Sequence, residues 1–472
     1  MKVRIGIDVG GTFTDAVIIN DSTYELIGTL KIPTTHLAQE GVASGIIQVI
    51  QQAMTKYNIR PDQVVFIAHG TTQATNALLE GDVVPVGVIG IGQGLEGAKV
   101  KSDTQVGDIE LAPGRFLRTC HSFIDPAEAR MAEIITQLNA EGCPVVVASA
   151  AFSVDDPTME LSVADKAREL GLLATGSHEI SKLYGLKIRT RTAAINASIL
   201  PKMMETANMT EDSVKRAGIK APLMIMRCDG GVMDIQEVRR RPIMTMLSGP
   251  AAGVAGALMY EKISDGIFLE VGGTSTDISA IRNGKVMVKY AEVGGHKTYL
   301  NSLDVRTVGV AGGSMVQVGE RGVIDVGPRS AHIAGLKYAV YAPPEDIVEP
   351  QIVLMQPKPG DPSTYASIKC ADGNQYAITV SCAANLLGFV QPDNYAYGSK
   401  EAACRAFAPF AAKYNITVEE FARQILDAAA AKNAEVVKAL MADYGLEQQS
   451  IVLVGGGGGA ASIVPHLAQY MD

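Results

Sequence analysis

The sequence predicts an α/β fold made of two related halves, each interrupted by an inserted segment, with a nucleotide held in the cleft between them. Three observations carry that expectation. Residues 8–15, Asp8-Val-Gly-Gly-Thr-Phe-Thr-Asp15, lie between apolar runs at 3–7 and 16–19 that read as strands. The element is written again at 270–277 as Glu270-Val-Gly-Gly-Thr-Ser-Thr-Asp277, identical at six of eight positions and set between apolar runs at 266–269 and 278–281. So wide a separation is no solenoid period and points to two related halves. Late in the chain, an apolar strand at 451–454 delivers the run Gly455-Gly-Gly-Gly-Gly-Ala460, whose bare backbone can lie flat against an adenine or ribose.

A pair of strands closed by glycines and threonines leaves backbone N–H groups and hydroxyls free to hold an anion, and phosphate is the natural one. Asp8 and Asp15 would repel a bare phosphate, so a divalent cation with its waters is expected between, and Mg²⁺ fits best. The plainer alternative is that the glycines only close a tight hairpin; the second copy weighs against it.

At 472 residues the chain is too long for one core. A net charge of −9 without basic runs argues against a nucleic-acid surface. Six cysteines, at 120, 143, 228, 370, 382 and 404, form no C-x-x-C pair and read as reduced thiols of a cytoplasmic protein. The chain enters a strand at once, and no apolar run reaches the ~18 residues of a membrane span, so no membrane association is expected.

In order along the chain, 26–32 reads as a third strand. Apolar Val42, Ile46, Val49, Ile50 and Met54 give 37–54 a helical face. Strand 64–68 runs into His69-Gly-Thr-Thr-Gln-Ala-Thr-Asn76, where hydroxyls and an imidazole open a helix. Such a place either receives a ligand or is an N-cap beside a structural histidine. Residues 90–174, with a strand at 145–150 and a helix at 157–170, read as a domain inserted in a first half made of 1–89 and 175–205. An Ala-rich helix is expected over 190–204 and a buried strand over 223–227. Ser248-Gly-Pro-Ala-Ala-Gly combines a turn with a helix of small residues suited to a hinge. The second half is assigned to 206–290 and 399–472, with strands at 278–281 and 285–290 and an irregular insertion over 291–398. Within the insertion, Asp304-Val-Arg-Thr-Val-Gly-Val-Ala-Gly-Gly-Ser314 is either a loop that needs glycine for its path or a substrate contact. Thr417-Val-Glu-Glu420 is a capping box opening a helix that stops at Gly445.

Two Gly-Gly-Thr loops, a late glycine loop and an insertion in each half resemble the actin-like (ribonuclease H-like) ATPase architecture. Four blocks are similar to one family in particular. Asp8-Val-Gly-Gly-Thr-Phe-Thr-Asp15, His69-Gly-Thr-Thr-x-Ala-Thr-Asn-Ala-Leu78, Ser248-Gly-Pro-Ala-x-Gly-Val-x-Gly-Ala257 and Gly272-Gly-Thr-Ser-Thr-Asp277 together resemble the hydantoinase/oxoprolinase family, A-subunit type. That resemblance implies an enzyme performing ATP-dependent opening of a cyclic amide (a hydantoin, 5-oxoproline or a lactam), or in related members ATP-dependent carboxylation of a ketone. It implies ATP and Mg²⁺ as cofactors. Gly10, Gly11, Thr12 and Thr14 with Gly272, Gly273, Thr274 and Ser275 would cradle the phosphates. Asp8 and Asp277 would be catalytic; Asp8, Asp15 and Asp277 would hold the hydrated metal. Gly455, Gly456 and Gly457 would flank the adenosine, and His69, Thr71, Thr72 and Asn76 would face the substrate.

The chain also departs from the family pattern. Glu270 stands where aspartate is usual, moving a carboxylate by one methylene. The family's Gly-Pro-Ala-Cys-Tyr run is replaced around Gly335-Leu-Lys-Tyr-Ala339, and its Thr-Asp-Ala is missing around Thr379-Val-Ser-Cys-Ala-Ala-Asn385, so substrate identity does not transfer. Family members continue well past the glycine run, whereas only 460–472 follow it here, which reads as a short subfamily or a trimmed chain. No His-x-x-x-His or His-Glu-x-x-His occurs, so hydrolysis is expected to need a B-type partner subunit; homo-oligomerisation stays open. The rival expectations are a small-molecule kinase with Asp229 or Asp304 as base, and a non-catalytic nucleotide switch.

Overall fold

The computed structural model describes residues 1–9, 13–34, 42–126 and 130–472, with backbone alone at Phe13, Val42 and Ala43. The described chain divides into two compact units, Met1–Ala252 with Val288–Leu303, and Gly253–Met287 with Asp304–Asp472.

The first unit is organised on a six-stranded sheet, ordered Val232–Asp234, Leu223–Met226, Val64–Thr71, Val3–Val9, Phe13–Asn20, Leu26–Pro33. Alternation along Val3–Val9 decides its two faces: Val3, Ile5, Ile7 and Val9 are buried, and Gly6 and Asp8 point the other way. Ile46, Val49 and Ile50 of helix Val42–Lys56 join the same core, as do Ala193, Ala194, Ile195 and Ile199 of helix Leu186–Arg216. That second helix runs through Pro201 and beyond the expected 190–204, because its burial continues to Val214. The expected start of the first helix, 37–41, lies outside the described residues.

A second sheet in this unit has the order Leu173–Gly176, Val145–Ala150, Val86–Ile91, Thr119–Ile124, with every pair parallel. Val86–Ile91 is buried at all six positions, as a parallel strand covered on both faces should be.

The structure corrects the expected boundary at 206. Leu223–Met226 pairs in parallel with Val64–Thr71, Leu223 beside Ile67, which holds 206–252 in the first unit. It also corrects the reading of 291–398 as irregular. His296–Leu303 pairs with Val288–Val293, and a six-stranded sheet is built from Ser314–Val318, Val323–Ser330, Lys337–Tyr338, Gln351–Met355, Tyr365–Lys369 and Gln375–Ala377. These strands are short, and Ser314–Val318 and most of Tyr365–Lys369 are buried on both faces, so no alternation marks them in the sequence.

In the second unit, Gly266–Val271 and Thr276–Arg282 form an antiparallel hairpin, with Val452–Gly456 parallel to its first strand and Val305–Val308 antiparallel to its second. Helices Lys400–Tyr414, Val418–Tyr444 and Ala460–Met471 pack on the core around Phe407, Phe410 and Phe421. The expected capping box is formed: Glu420 N donates to Thr417 Oγ1 at 3.1 Å and Thr417 N to Glu420 Oε2 at 2.8 Å, and Gly445 closes the helix in the left-handed conformation.

Candidate functional site

Gly10, Gly11 and Thr12 lie outside the described residues, so the first loop is known here by its flanks. Hairpin register puts Asp8 directly opposite Asp15 and Val9 opposite Thr14. Lys31, on the neighbouring strand, stands 3.1 Å from the Asp15 carboxylate. Asp8 Oδ1 is buried and has no hydrogen-bond partner among the described residues. Burial, then the charge of Asp15, pushes the Asp8 carboxyl above its ordinary pKa, and Lys31 partly opposes this.

Two other segments of the first unit close on that oxygen. A Cβ on Gly70 would stand 3.1 Å from Asp8 Oδ1, and one on Gly249 would stand 3.8 Å away. At Gly70 a side chain would crowd that carboxylate, whereas at Gly249 it would sit at ordinary contact distance. Ser248 fixes the approach: Thr71 N donates to its hydroxyl at 3.0 Å, and the hydroxyl donates to Thr71 O at 2.9 Å. Leu247 N donates to Thr75 Oγ1 at 3.1 Å. A cavity of about 320 Å³ opens on this face, lined by Gly6, Asp8, Asp15, Thr29, Gly70 and Met226 among others.

The substrate-side candidates do not share that face. His69 pairs beside Ile7 and Thr71 beside Val9, so both point into the core, at 4% and 3% exposure. His69 Nδ1 lies 2.7 Å from Gly70 O; a carbonyl only accepts, so Nδ1 carries the proton. Burial holds this imidazole below its ordinary pKa, with the Gly70 carbonyl opposing. Thr71 Oγ1 accepts from Gln73 N at 3.2 Å, Thr72 Oγ1 donates to Val9 O at 3.4 Å, and Asn76 Nδ2 donates to Thr72 Oγ1 at 3.4 Å. Thr14 is fully buried, 3.2 Å from Thr34 Oγ1.

In the second unit, Glu270 is opposite Asp277 and Val271 opposite Thr276. Asp277 Oδ1 accepts from Thr307 Oγ1 at 2.6 Å, and Thr276 Oγ1 donates to Val310 O at 2.6 Å. The loop is locked by backbone. Gly272 N donates to Ser275 O at 3.1 Å, and Gly312 N and Gly313 N donate to Gly272 O and Gly273 O at 3.3 and 3.1 Å. Thr274 Oγ1 lies 3.2 Å from Ser330 Oγ. The run ending at Ser314, left open between path and contact, thus buttresses the second loop. Gly455 and Gly456 pair beside Leu269 and Glu270; Gly457 has φ +82°, and Gly459 N donates to Val271 O at 2.9 Å. A cavity of about 300 Å³ is lined by Gly253, Gly256, Tyr260, Phe268, Glu270 and the Gly455–Gly457 backbone.

The bases imagined for a kinase are already engaged. Asp229 pairs with Arg227 and accepts from Gly231 N, and Asp304, 2% exposed, accepts from Arg306 and Tyr444. Sequence reasoning missed Lys31, Thr307 and the pairing of Gly312 and Gly313. Their partners lie far away in the chain, so no local pattern announces them. Among the described residues, no group of three His, Cys, Asp or Glu side chains is arranged to hold a metal, and no helix is long and apolar enough to cross a membrane. A facing pair of carboxylates is instead the donor set Mg²⁺ uses when it keeps its waters.

The family model described as hydantoinase/oxoprolinase matches residues 189–472, and that of the hydantoinase/oxoprolinase N-terminal region matches residues 4–171. The chain belongs to the hydantoinase/oxoprolinase family. Caprolactamase subunit alpha of Pseudomonas jessenii is 26% identical over 356 residues, covering 70% of this chain and 51% of that subunit. The 5-oxoprolinase of Saccharomyces cerevisiae is 27% identical over 389 residues, covering 70% of this chain and 30% of that protein. This hydantoinase/oxoprolinase chain thus spans about half the length of such relatives or less. The crystal structure of the ATP-dependent caprolactamase from Pseudomonas jessenii matches 99% of this chain and 67% of its own, with a TM-score of 0.71 at 22% identity, a likeness of fold.

Proposed function

We propose that this chain is the ATP-using subunit of a cyclic-amide hydrolase. It transfers the γ-phosphoryl group of ATP to the amide oxygen of a hydantoin, 5-oxoproline or lactam. An amide carbonyl is a poor electrophile. Once its oxygen attacks phosphorus and ADP departs, the ring carbon is an activated imidate that water can attack; the ring C–N bond then breaks and phosphate leaves. Phosphoryl transfer asks a protein mainly for positioning and charge neutralisation.

The observation that carries this reading is Asp8 Oδ1, a buried carboxylate oxygen without a hydrogen-bond partner among the described residues, with Gly70 packed beside it. A protein leaves such a group unsatisfied only at a cost, and chemistry at the site is the usual reason. Asp8 and Asp15 would hold hydrated Mg²⁺, which supplies charge neutralisation to the phosphates; Asp277 would orient one of its waters. Gly10, Gly11 and Thr12, and Gly272, Gly273, Thr274 and Ser275, would take the phosphates, and Gly455, Gly456 and Gly457 the adenosine; Thr14, fully buried opposite Val9, would support its loop from the core side. His69 and Thr71 then act by shaping the Gly70 backbone, and Thr72 and Asn76 are the more accessible of the four substrate-side candidates. The ATP-dependent caprolactamase and the 5-oxoprolinases among the relatives support the substrate class, and the subunit named alpha supports a B-type partner.

The test is release of ADP and free phosphate with Mg-ATP across hydantoins, 5-oxoproline, caprolactam and sugars, with and without a B-type subunit. Stimulation of both by a cyclic amide is expected. Stimulation by a sugar, with phosphate retained on the product, would replace this reading with a kinase.

A further inference from the structure

We propose that the carboxyl edge of the four-stranded parallel sheet in the first unit is a second ligand site, and that it takes a small zwitterion, an amino acid with an apolar stem. The position follows from topology. From Val86–Ile91 the chain moves to the outer strand Thr119–Ile124, whereas from Val145–Ala150 it moves the opposite way to Leu173–Gly176. The two adjacent central strands are therefore a switch point, and parallel sheets open a crevice outside the carboxyl ends of such a pair. A cavity of about 380 Å³ lies there, lined by helix Gly94–Thr104 after the first strand, by Ala151 and Phe152 after the second, and by Tyr184–Leu186.

The walls are held from beneath by a charged network that no step of the proposed reaction uses. Arg189 is fully buried. Its guanidinium donates to the carbonyls of Ala150 and Ala151 on one wall, and to those of Leu183 and Tyr184 on the other at 2.7 and 3.2 Å. Ser177 accepts from Arg189 Nε at 2.9 Å and donates to the buried Glu160 at 2.7 Å, and Glu160 stands 2.6 Å from His178 Nδ1. Burying a guanidinium and a carboxylate is expensive, and an apolar core would be cheaper. Here the pair fixes two loop backbones, as a supporting shell does around a preorganised site.

The lining names the ligand. Glu96, Lys99 and Asp103 fall on one face of their helix, three and four residues apart. Lys99 forms an ion pair with neither carboxylate, and none of the three has another partner among the described residues. Two aromatic rings complete the cavity: Phe152, 57% exposed, and Tyr184, 60% exposed, whose hydroxyl is anchored on Asp155 at 2.8 Å. Carboxylates beside aromatic faces suit an ammonium, a lysine beside them suits a carboxylate, and the rings suit the stem that joins the two. A phosphorylated ligand would meet two carboxylates for one cation. The ligand class rests on this lining alone; that such an amino acid is what opening a cyclic amide yields rests on the proposed function.

Calorimetry on the full chain without ATP separates the two. 6-Aminohexanoate and glutamate are the probes, with hexanoate and hexylamine as single-charge controls. Saturable binding of a zwitterion is expected, at least about tenfold tighter than either control. Lys99→Ala and Phe152→Ala, both at exposed side chains, should each weaken it about tenfold or more, and Asp8→Asn should leave it unchanged. The proposal is overturned by no saturable binding, by equal binding of a single-charge control, or by affinity that survives both variants or is lost in Asp8→Asn.

Discussion

The two hairpins share a plan and differ in how the closing carboxylate is held. Each is an antiparallel pair with a parallel strand beside its first member and an antiparallel strand beside its second, Val64–Thr71 and Leu26–Pro33 in one, Val452–Gly456 and Val305–Val308 in the other. In the first, Asp8 Oδ1 is buried without a hydrogen-bond partner among the described residues, and Lys31 stands 3.1 Å from Asp15. In the second, Asp277 accepts a threonine hydroxyl, and the loop carbonyls are taken up by Gly312 and Gly313. The shared plan thus carries two ways of holding the closing carboxylate, a lysine ammonium beside Asp15 and a threonine hydroxyl with a buttressed loop at Asp277.

The largest effect should come from Asp8→Asn, which removes the charge at nearly constant volume. ATP turnover is expected to fall about 10²–10³-fold, as when a preorganised electrostatic group is lost. The melting temperature at pH 7 without Mg²⁺ should hold or rise, because a carboxyl whose folded pKa is raised destabilises the fold once it ionises. Activity and melting temperature falling together would make Asp8 structural and dissolve the contrast.

Next is Gly70→Ala, which sets a methyl 3.1 Å from Asp8 Oδ1. A displaced carboxylate should lower kcat about tenfold with the melt little changed; unchanged steady-state kinetics would show that the oxygen's position is not critical.

A smaller effect tests the core face. His69 has a lowered folded pKa, so the unfolded chain takes up a proton that the folded one resists, and stability should be lost as pH falls below about 6.5. Denaturant titrations between pH 7 and 5 should show a shallower decline in His69→Gln, by up to about 1.4 kcal/mol per pH unit. An identical slope would show that His69 titrates alike in the folded and unfolded chain and would refute its burial as a neutral imidazole.

The smallest effect belongs to the second hairpin. Thr307→Val removes one hydrogen bond to Asp277, worth about 0.5–1.5 kcal/mol, and should raise KM for ATP a few-fold with kcat intact. A loss rivalling that of Asp8→Asn would make the two hairpins chemically equal.

Both hairpins were legible because their information is local: apolar alternation, a glycine turn and carboxylates at fixed offsets. The capping box at Thr417 and the strand Val145–Ala150 were legible for the same reason. The sheet containing Ser314–Val318 was not, since a short run buried on both faces has no period to detect. Nor was the sidedness of His69. It is the immediate neighbour of Gly70 in sequence, yet the pleat sends it to the opposite face from Asp8. The Glu160, His178 and Arg189 network is assembled from three elements and leaves no pattern in any of them.

The interlocked glycine backbones of the second unit bear on how this family can diversify. A Cβ on Gly313 would fall 1.9 Å from the Tyr338 hydroxyl, one on Gly457 2.6 Å from Val271 O, and one on Gly459 2.6 Å from Gly272 O. Three strands of bare peptide therefore hold one another in place, and none can be exchanged piecemeal for another residue type. Variation in such a neighbourhood is confined to its rim, where Tyr338 abuts Gly313 and Tyr395 abuts Gly458. Selection can repaint the frame around the glycine loop while the loop itself stays mutationally mute.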